Sequence, residues 1–183
     1  MSDEHAAHFL GGTPEEILEA RAASLAQEPA AEDASDRLSM LLFRIGEESY
    51  SVDVADVREI FQEYTVTSLP CTPEFILGVT NIRGEILSVT DPAILMSLGR
   101  VVGPVDAQAP AVVVTNGLVA TAIVVDEIGD IVEVAKSALE PPVSIIDRAQ
   151  VEFVAGSMFI DGAMVGVLNV ERVLEPVGTL SHH

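Results

Sequence analysis

From residue 38 onward the chain is a succession of short β-branched runs, each ended by turn residues, and this punctuation narrows the possible folds more than any other feature. "LLFRI" and "SYSV" flank Gly46-Glu47-Glu48. "AVVV" and "LVATAIVV" lie on either side of Asn116-Gly117, and "VEFVAGSMFI" and "AMVGVLNV" are separated by Asp161-Gly162. Asn-Gly and Asp-Gly supply the positive φ angles that tight hairpin turns demand, so the body reads as mostly antiparallel β. Several runs, such as "AIVVDEI" and "MVGVL", are apolar at successive positions where a half-buried strand would alternate. Such strands need cover on both faces, which small closed barrels packed against each other provide. Helical patches are expected at "VADVREIFQ" (54–62), "PAILMSLG" (92–99), "AKSALE" (135–140) and "VERVLE" (170–175), as connections between strands. No repeat of fixed period is visible, although three hairpins in one body hint at two similar halves.

Residues 1–37 follow a different pattern. In "TPEEILEARAASLAQE", Thr13 is an N-cap, Pro14 takes the first helical position and Glu16 completes a capping box, which predicts an amphipathic helix over about 13–28. Ile17, Leu18, Ala22 and Leu25 form one narrow apolar stripe, for docking on the chain's own body or on a partner. "PAAEDASD" (29–36) reads as a short acidic linker. The expected division is an N-terminal extension over 1–37, a folded body over 38–176 and a tail over 177–183.

Charge excludes whole classes of function. The 183 residues carry a net charge of −20, and the basic side consists of eight arginines and one lysine, Lys136. A surface for nucleic acid needs clustered Lys and Arg to displace counterions, and an anionic membrane surface repels such a chain for the same reason. The longest apolar run, "LVATAIVV", is far shorter than the roughly 20 residues of a membrane-spanning helix. The start, "MSDEHAAHFL", has acids where a signal peptide carries positive charge, and Cys71, the single cysteine, permits no internal disulfide. A cytoplasmic protein is expected, with Cys71 as a small buried hydrophobe.

The inventory for catalysis is thin. All four histidines, His5, His8, His182 and His183, sit at the termini, so neither a Ser-His-Asp nor a Cys-His site can be assembled in the body. A His/Cys zinc site fails on the same ground, the final His pair, natural or the remnant of a purification tag, carries no functional weight, and no phosphate-cradling glycine loop is present. Asp126, Glu127 and Asp130 could pair as acid and base, but they read more simply as charges on a solvated sheet end. The expectation is therefore no enzyme, no cofactor, no metal, and a binding module by elimination.

One ordered motif is more specific. "VREI" (57–60) followed by "LPCTPEFILGVTNIRGEIL" (69–87) resembles the CheW family of bacterial chemotaxis scaffold proteins in the spacing V-x-E-I … L-P-x-x-P-x-x-I-x-G-V-x-N-x-R-G. The matching residues are Val57, Glu59, Ile60, Leu69, Pro70, Pro73, Ile76, Gly78, Val79, Asn81, Arg83 and Gly84. The similarity continues through "LLFRIGEESYSVDV", "AIVVDEIGDIVEV" and "VAGSMFIDGAMVGVLNVERVL", covering roughly residues 38–176.

This resemblance implies a mainly β fold of two SH3-like five-stranded barrels with short connecting helices and no catalytic activity. It further implies an adaptor coupling the regulatory domain of a CheA-type histidine kinase to the cytoplasmic tips of methyl-accepting chemoreceptors, peripheral to the receptor array. The residues it assigns to partner binding are Val57, Glu59, Gly78, Asn81, Arg83 and Gly84. Asn81 can hold the turn through its side chain and Gly84 can take a positive φ, leaving Arg83 to present its planar fork to a carboxylate such as Glu59 or one on a partner. Ser88, Pro92 and Ala93 depart from the family pattern directly after the motif. They keep open an adaptor of another pathway, such as surface motility or second-messenger control, or a relative that sequesters a kinase.

Overall fold

The computed structural model describes residues 36–99, 109–142 and 148–180. The helix expected over 13–28 lies outside them. The chain divides into the units Met1–Arg37 and Leu38–His183, and the sheets described here build the second, with the first strand starting at Arg37.

Among the described residues, ten strands form two five-stranded sheets. The first sheet has the order β8 (Glu127–Ala135), β1 (Arg37–Ile45), β2 (Glu48–Asp53), β10 (Ala163–Leu168) and β9 (Val154–Ile160). The second has the order β3 (Val57–Phe61), β6 (Ala111–Thr115), β7 (Ala120–Val124), β5 (Glu85–Thr90) and β4 (Ile76–Ile82). Each contains one parallel pair, β10 with β2 and β5 with β7. Each is also tied edge to edge by an isolated bridge. Thr67, after β3, exchanges two hydrogen bonds with Val79 of β4 (2.8 and 2.9 Å), and Glu140, after β8, does the same with Ser157 of β9 (2.8 and 2.9 Å).

Three apolar clusters explain the doubly apolar strands. Leu87, Val89, Ala111, Val113, Ala122 and Val124 fill the second sheet, and Met40, Met158, Val165 and Val167 fill the first. A third and larger cluster draws on both sheets, with Leu41, Phe43 and Ile45 from β1 against Val112, Val114 and Ile123 from β6 and β7. Odd and even positions of β1, β6 and β7 therefore enter different cores, so along most of their length these strands alternate between two cores and not between core and solvent.

The two sheets repeat one plan. The β4–β5 hairpin pairs Ile76 with Thr90, Gly78 with Val89, Asn81 with Ile86 and Ile82 with Glu85, with a register shift between Ile76 and Gly78. The β9–β10 hairpin pairs Val154 with Leu168, Gly156 with Val167, Phe159 with Met164 and Ile160 with Ala163, each residue displaced by 78 along the chain. The correspondence extends past the strands. Asp91 N–H donates to the Phe75 carbonyl (2.8 Å) and Asn169 N–H to the Phe153 carbonyl (2.7 Å), and both acceptors and donors keep the same displacement. Asp91 then caps α1 (Pro92–Leu95), and, beyond the short α2 (Arg148–Val151), Asn169 caps α3 (Val170–Leu180) by accepting from Arg172 N–H at 3.3 Å.

Several expected elements differ. The segment 54–62 is a 3₁₀ turn, Val54–Asp56, followed by β3, because Asp53 caps only Ala55 N–H and the next residues pair with β6. α1 spans four residues, the 135–140 patch is a 3₁₀ turn over Lys136–Ala138, and α3 continues to Leu180. The tail expected from residue 177 thus begins inside a helix, where Val177 is buried. Asn116 does not adopt a positive φ; its side-chain oxygen accepts from Leu118 N–H and Val119 N–H (3.0 and 2.9 Å), organising a four-residue loop around Gly117. Cys71 is exposed with φ 61°, on a loop turn and not in a core.

Candidate partner-binding site

The motif singled out in the sequence folds into the tip of the β4–β5 hairpin. Arg83 (φ 52°) and Gly84 (φ 87°) make a two-residue turn with both residues in the left-handed region, which matches the right-handed twist of the flanking strands. Asn81 Oδ1 accepts the Gly84 N–H at 2.9 Å and holds the turn closed. A β-carbon at a left-handed position is disfavoured by roughly 1 kcal/mol, so an arginine there works against the turn's own preference for Asn or Gly.

Two ion pairs connect this tip to β3. Arg58 meets Glu85 through its two terminal guanidinium nitrogens, at 2.9 and 3.2 Å. Arg83 lies 3.5 Å from Glu59 Oε2, a looser approach. Their exposures are unequal, because the Arg83 side chain is 87% exposed while that of Glu59 is 24% exposed. A pair with one partner almost wholly in water contributes about 0–1 kcal/mol, so the contact orients Arg83 without consuming its charge.

Four of the six predicted residues, Glu59, Asn81, Arg83 and Gly84, therefore meet at one tip. The other two are placed differently. Val57 packs in part against the cluster between the sheets. Gly78 is buried beneath the closing bridge, where a β-carbon would lie 2.2 Å from the Thr67 carbonyl oxygen, at φ +149°. Neither the open space nor the backbone conformation there admits a side chain.

The tip also includes one apolar residue that the motif did not single out: Ile86, 61% exposed, is the cross-strand partner of Asn81 and shares its face. Of the apolar motif residues, Ile60 and Leu69 are each 42% exposed. The signal for Ile86 was its position two residues beyond Gly84, which alternation places outward. The departures point the other way. Ala93 is buried in the cluster between the sheets, Pro92 is buried at the first helical position, and the Ser88 hydroxyl bonds Thr121 Oγ1 at 2.8 Å.

Two of the three acids considered for catalysis, Asp126 and Glu127, are engaged by neighbouring groups. Asp126 Oδ2 accepts the Gly46 N–H, and Glu127 pairs with Arg44 at 3.0 Å. Among the described residues, no three His, Cys, Asp or Glu side chains converge as a metal site requires, and no helix is long and apolar enough to cross a membrane.

The motif thus folds into an exposed, ion-paired hairpin tip on a two-sheet β protein. The CheW-like domain model matches residues 39–177, and the chain belongs to that family. It is 28% identical over 136 residues to a probable chemotaxis protein CheW of Rhizobium etli, covering 73% of this chain and 85% of that one. It is also 28% identical over 134 residues to the chemotaxis protein CheW of Klebsiella aerogenes, covering 73% and 80%. The crystal structure of scaffolding protein TtCheW from Thermoanaerobacter tengcongensis superposes with a TM-score of 0.67 at 27% identity, over 75% of this chain and 92% of that one. The chain is a coupling adaptor of the chemotaxis type.

Proposed function

We propose that this adaptor is non-catalytic and cytoplasmic, and that it joins the regulatory domain of a CheA-type histidine kinase to the cytoplasmic tips of chemoreceptors, at the periphery of a receptor array. In this reading residues 38–176 are the two-barrel working domain, each closed sheet is one SH3-like barrel, and residues 1–37 are an extension. Partner contact is made by Arg83, Glu59, Asn81 and Gly84, with Ile86 beside them, while Val57 and Gly78 act from beneath by holding β3 and β4 in place. The observation that carries the reading is Arg83 itself: a charged residue kept at a left-handed turn position and almost fully exposed. A guanidinium so placed can give two parallel hydrogen bonds to a partner carboxylate, and an exposed isoleucine next to it supplies the apolar contact from which interface energy usually comes.

The test is titration of the purified cognate kinase regulatory domain, and separately of a receptor-tip fragment, against wild type and Arg83→Ala, with folding followed by circular dichroism. Binding by wild type and a tenfold or greater loss in the folded variant, about 1.4 kcal/mol or more, is the expected result. A folded wild type that binds neither partner refutes the coupling role.

A further inference from the structure

The β9–β10 hairpin, equivalent to β4–β5 through the 78-residue displacement, carries different chemistry on its outer face. Phe159 and Met164 stand directly opposite each other and are 67% and 48% exposed. They occupy the places of Asn81 and Ile86, and Asp161 (φ 51°) takes the place of Arg83 in a two-residue turn with Gly162 (φ 79°). A polar-apolar pair topped by a cation in one hairpin is thus a wholly apolar pair topped by an acid in the other.

Beside Met164 lies a groove of about 320 Å³ whose lining includes Tyr50, Gly166, Glu47, Glu48 and Gln150, and to which the described lining residues contribute no Lys or Arg. Its origin is readable in the repeat. In the second sheet the parallel strands β5 and β7 bring Ser88 opposite Thr121, and their hydroxyls bond at 2.8 Å. In the first sheet the parallel strands β10 and β2 bring Gly166 opposite Tyr50, and the missing side chain makes room for the ring; a β-carbon on Gly166 would lie 3.0 Å from it. The Tyr50 hydroxyl donates to Glu48 Oε2, fixing that carboxylate at the groove's edge.

We propose that this face is a second docking surface, and that its occupant is a partner-protein segment presenting apolar side chains flanked by Arg or Lys. Phe159 and Met164 supply the desolvated contact, and Glu47, Glu48 and Asp161 surround it with negative charge, which selects cationic flanks and rejects acidic ones. The assignment stands apart from the Arg83 tip, whose opposite charge at the equivalent position suits an acidic partner.

The experiment uses the full chain and two synthetic twelve-residue probes, one alternating Leu and Phe with Arg, the other with Glu in place of each Arg. Binding is read by fluorescence anisotropy at low and high salt, and by the NMR shift of the Met164 methyl in unmodified protein. The expected results are saturable binding of the Arg probe alone, a shifted Met164 methyl, and affinity about tenfold weaker in Phe159→Ala/Met164→Ala and in Glu47→Gln/Glu48→Gln, with Arg83→Ala unchanged. Equal binding of both probes overturns the proposal, as does an unshifted Met164 methyl. Concentration-dependent dimerisation of wild type in sedimentation, abolished by Phe159→Ala/Met164→Ala, also overturns it by making a second copy the occupant.

Discussion

The β4–β5 and β9–β10 hairpins share turn length, register shift, closing bridge, buried glycine and helix cap, yet offer solvent opposite charges. Phe75 and Phe153, Gly78 and Gly156, Ile82 and Ile160, Gly84 and Gly162, and Val89 and Val167 are the same residue in both. Gly78 and Gly156 sit under bridges and Gly84 and Gly162 in left-handed turns. The outward pairs, Asn81 with Phe159 and Arg83 with Asp161, have diverged in chemistry. The glycines under the bridges and in the turns recur in both hairpins, whereas the outward positions carry different chemistry.

The sharpest way to break the comparison is at the buried glycines. Gly78→Ala puts a β-carbon 2.2 Å from backbone at a positive φ and is expected to cost roughly 3–5 kcal/mol. Gly156→Ala meets the Glu140 carbonyl oxygen at 2.5 Å without a positive φ, and about 2–3 kcal/mol is expected. Urea denaturation measures both, and a tolerated Gly78→Ala would show that the two bridges are not equivalent. The groove floor comes next. Gly166→Ser forces the Tyr50 ring to move and should cost about 2 kcal/mol, while Ser88→Gly loses one hydroxyl pair and strand rigidity, about 1 kcal/mol.

At the tips the expected changes are smaller and opposite in meaning. Arg83→Asn suits the left-handed position and should raise stability by about 0.5–1 kcal/mol while lowering affinity for the kinase domain at least tenfold. Asp161→Asn should change stability by less than about 0.5 kcal/mol and leave kinase binding intact, and equal losses of binding in both would erase the distinction between the hairpins. The smallest effect lies at the crossover joining the two sheets. Burial first, then the negative charges of Asp53 and Glu171, raise the Asp56 carboxyl above its ordinary value. The folded state therefore favours protonated Asp56, a contribution present at low pH and lost as pH rises through the raised value. Asp56→Asn should raise Tm by about 1–2 °C at pH 7, with the gain disappearing near about pH 3, where both forms are neutral.

How much of this was legible in sequence depends on the range of the signal. Asp161-Gly162 announced its turn because two adjacent residue types encode it. The apolar runs announced cover on both faces because each strand serves two cores. "VREIF" was misleading, since Val57, Ile60 and Phe61 have helical spacing and only pairing with β6 makes them a strand. The repeat showed only as a hint, three hairpins in one body, because few positions keep their identity, and because the first sheet takes β1 and β2 from ahead of the second sheet instead of after β10. At the tip, Asn81, Gly84 and the approach of Arg83 to Glu59 followed from side-chain chemistry. The burial of Gly78 did not, because it depends on Thr67 arriving from another segment.

That interleaving sets an order on biosynthesis. The second sheet is drawn from one uninterrupted stretch, Val57 to Val124, and has all its strands once that stretch has left the ribosome. The first sheet has only β1 and β2 at that stage and must wait for β8, β9 and β10. At about 5–20 residues per second, the roughly 45 residues from Val125 to Leu168 take several seconds to emerge. During that interval Met40 lacks its partners Met158, Val165 and Val167, and the polar edges of the β1–β2 hairpin lack theirs. A nascent chain is consequently most in need of protection at the end synthesised first, and a stalled or truncated product would present a finished sheet beside an orphaned hairpin, a ready substrate for chaperones and proteases.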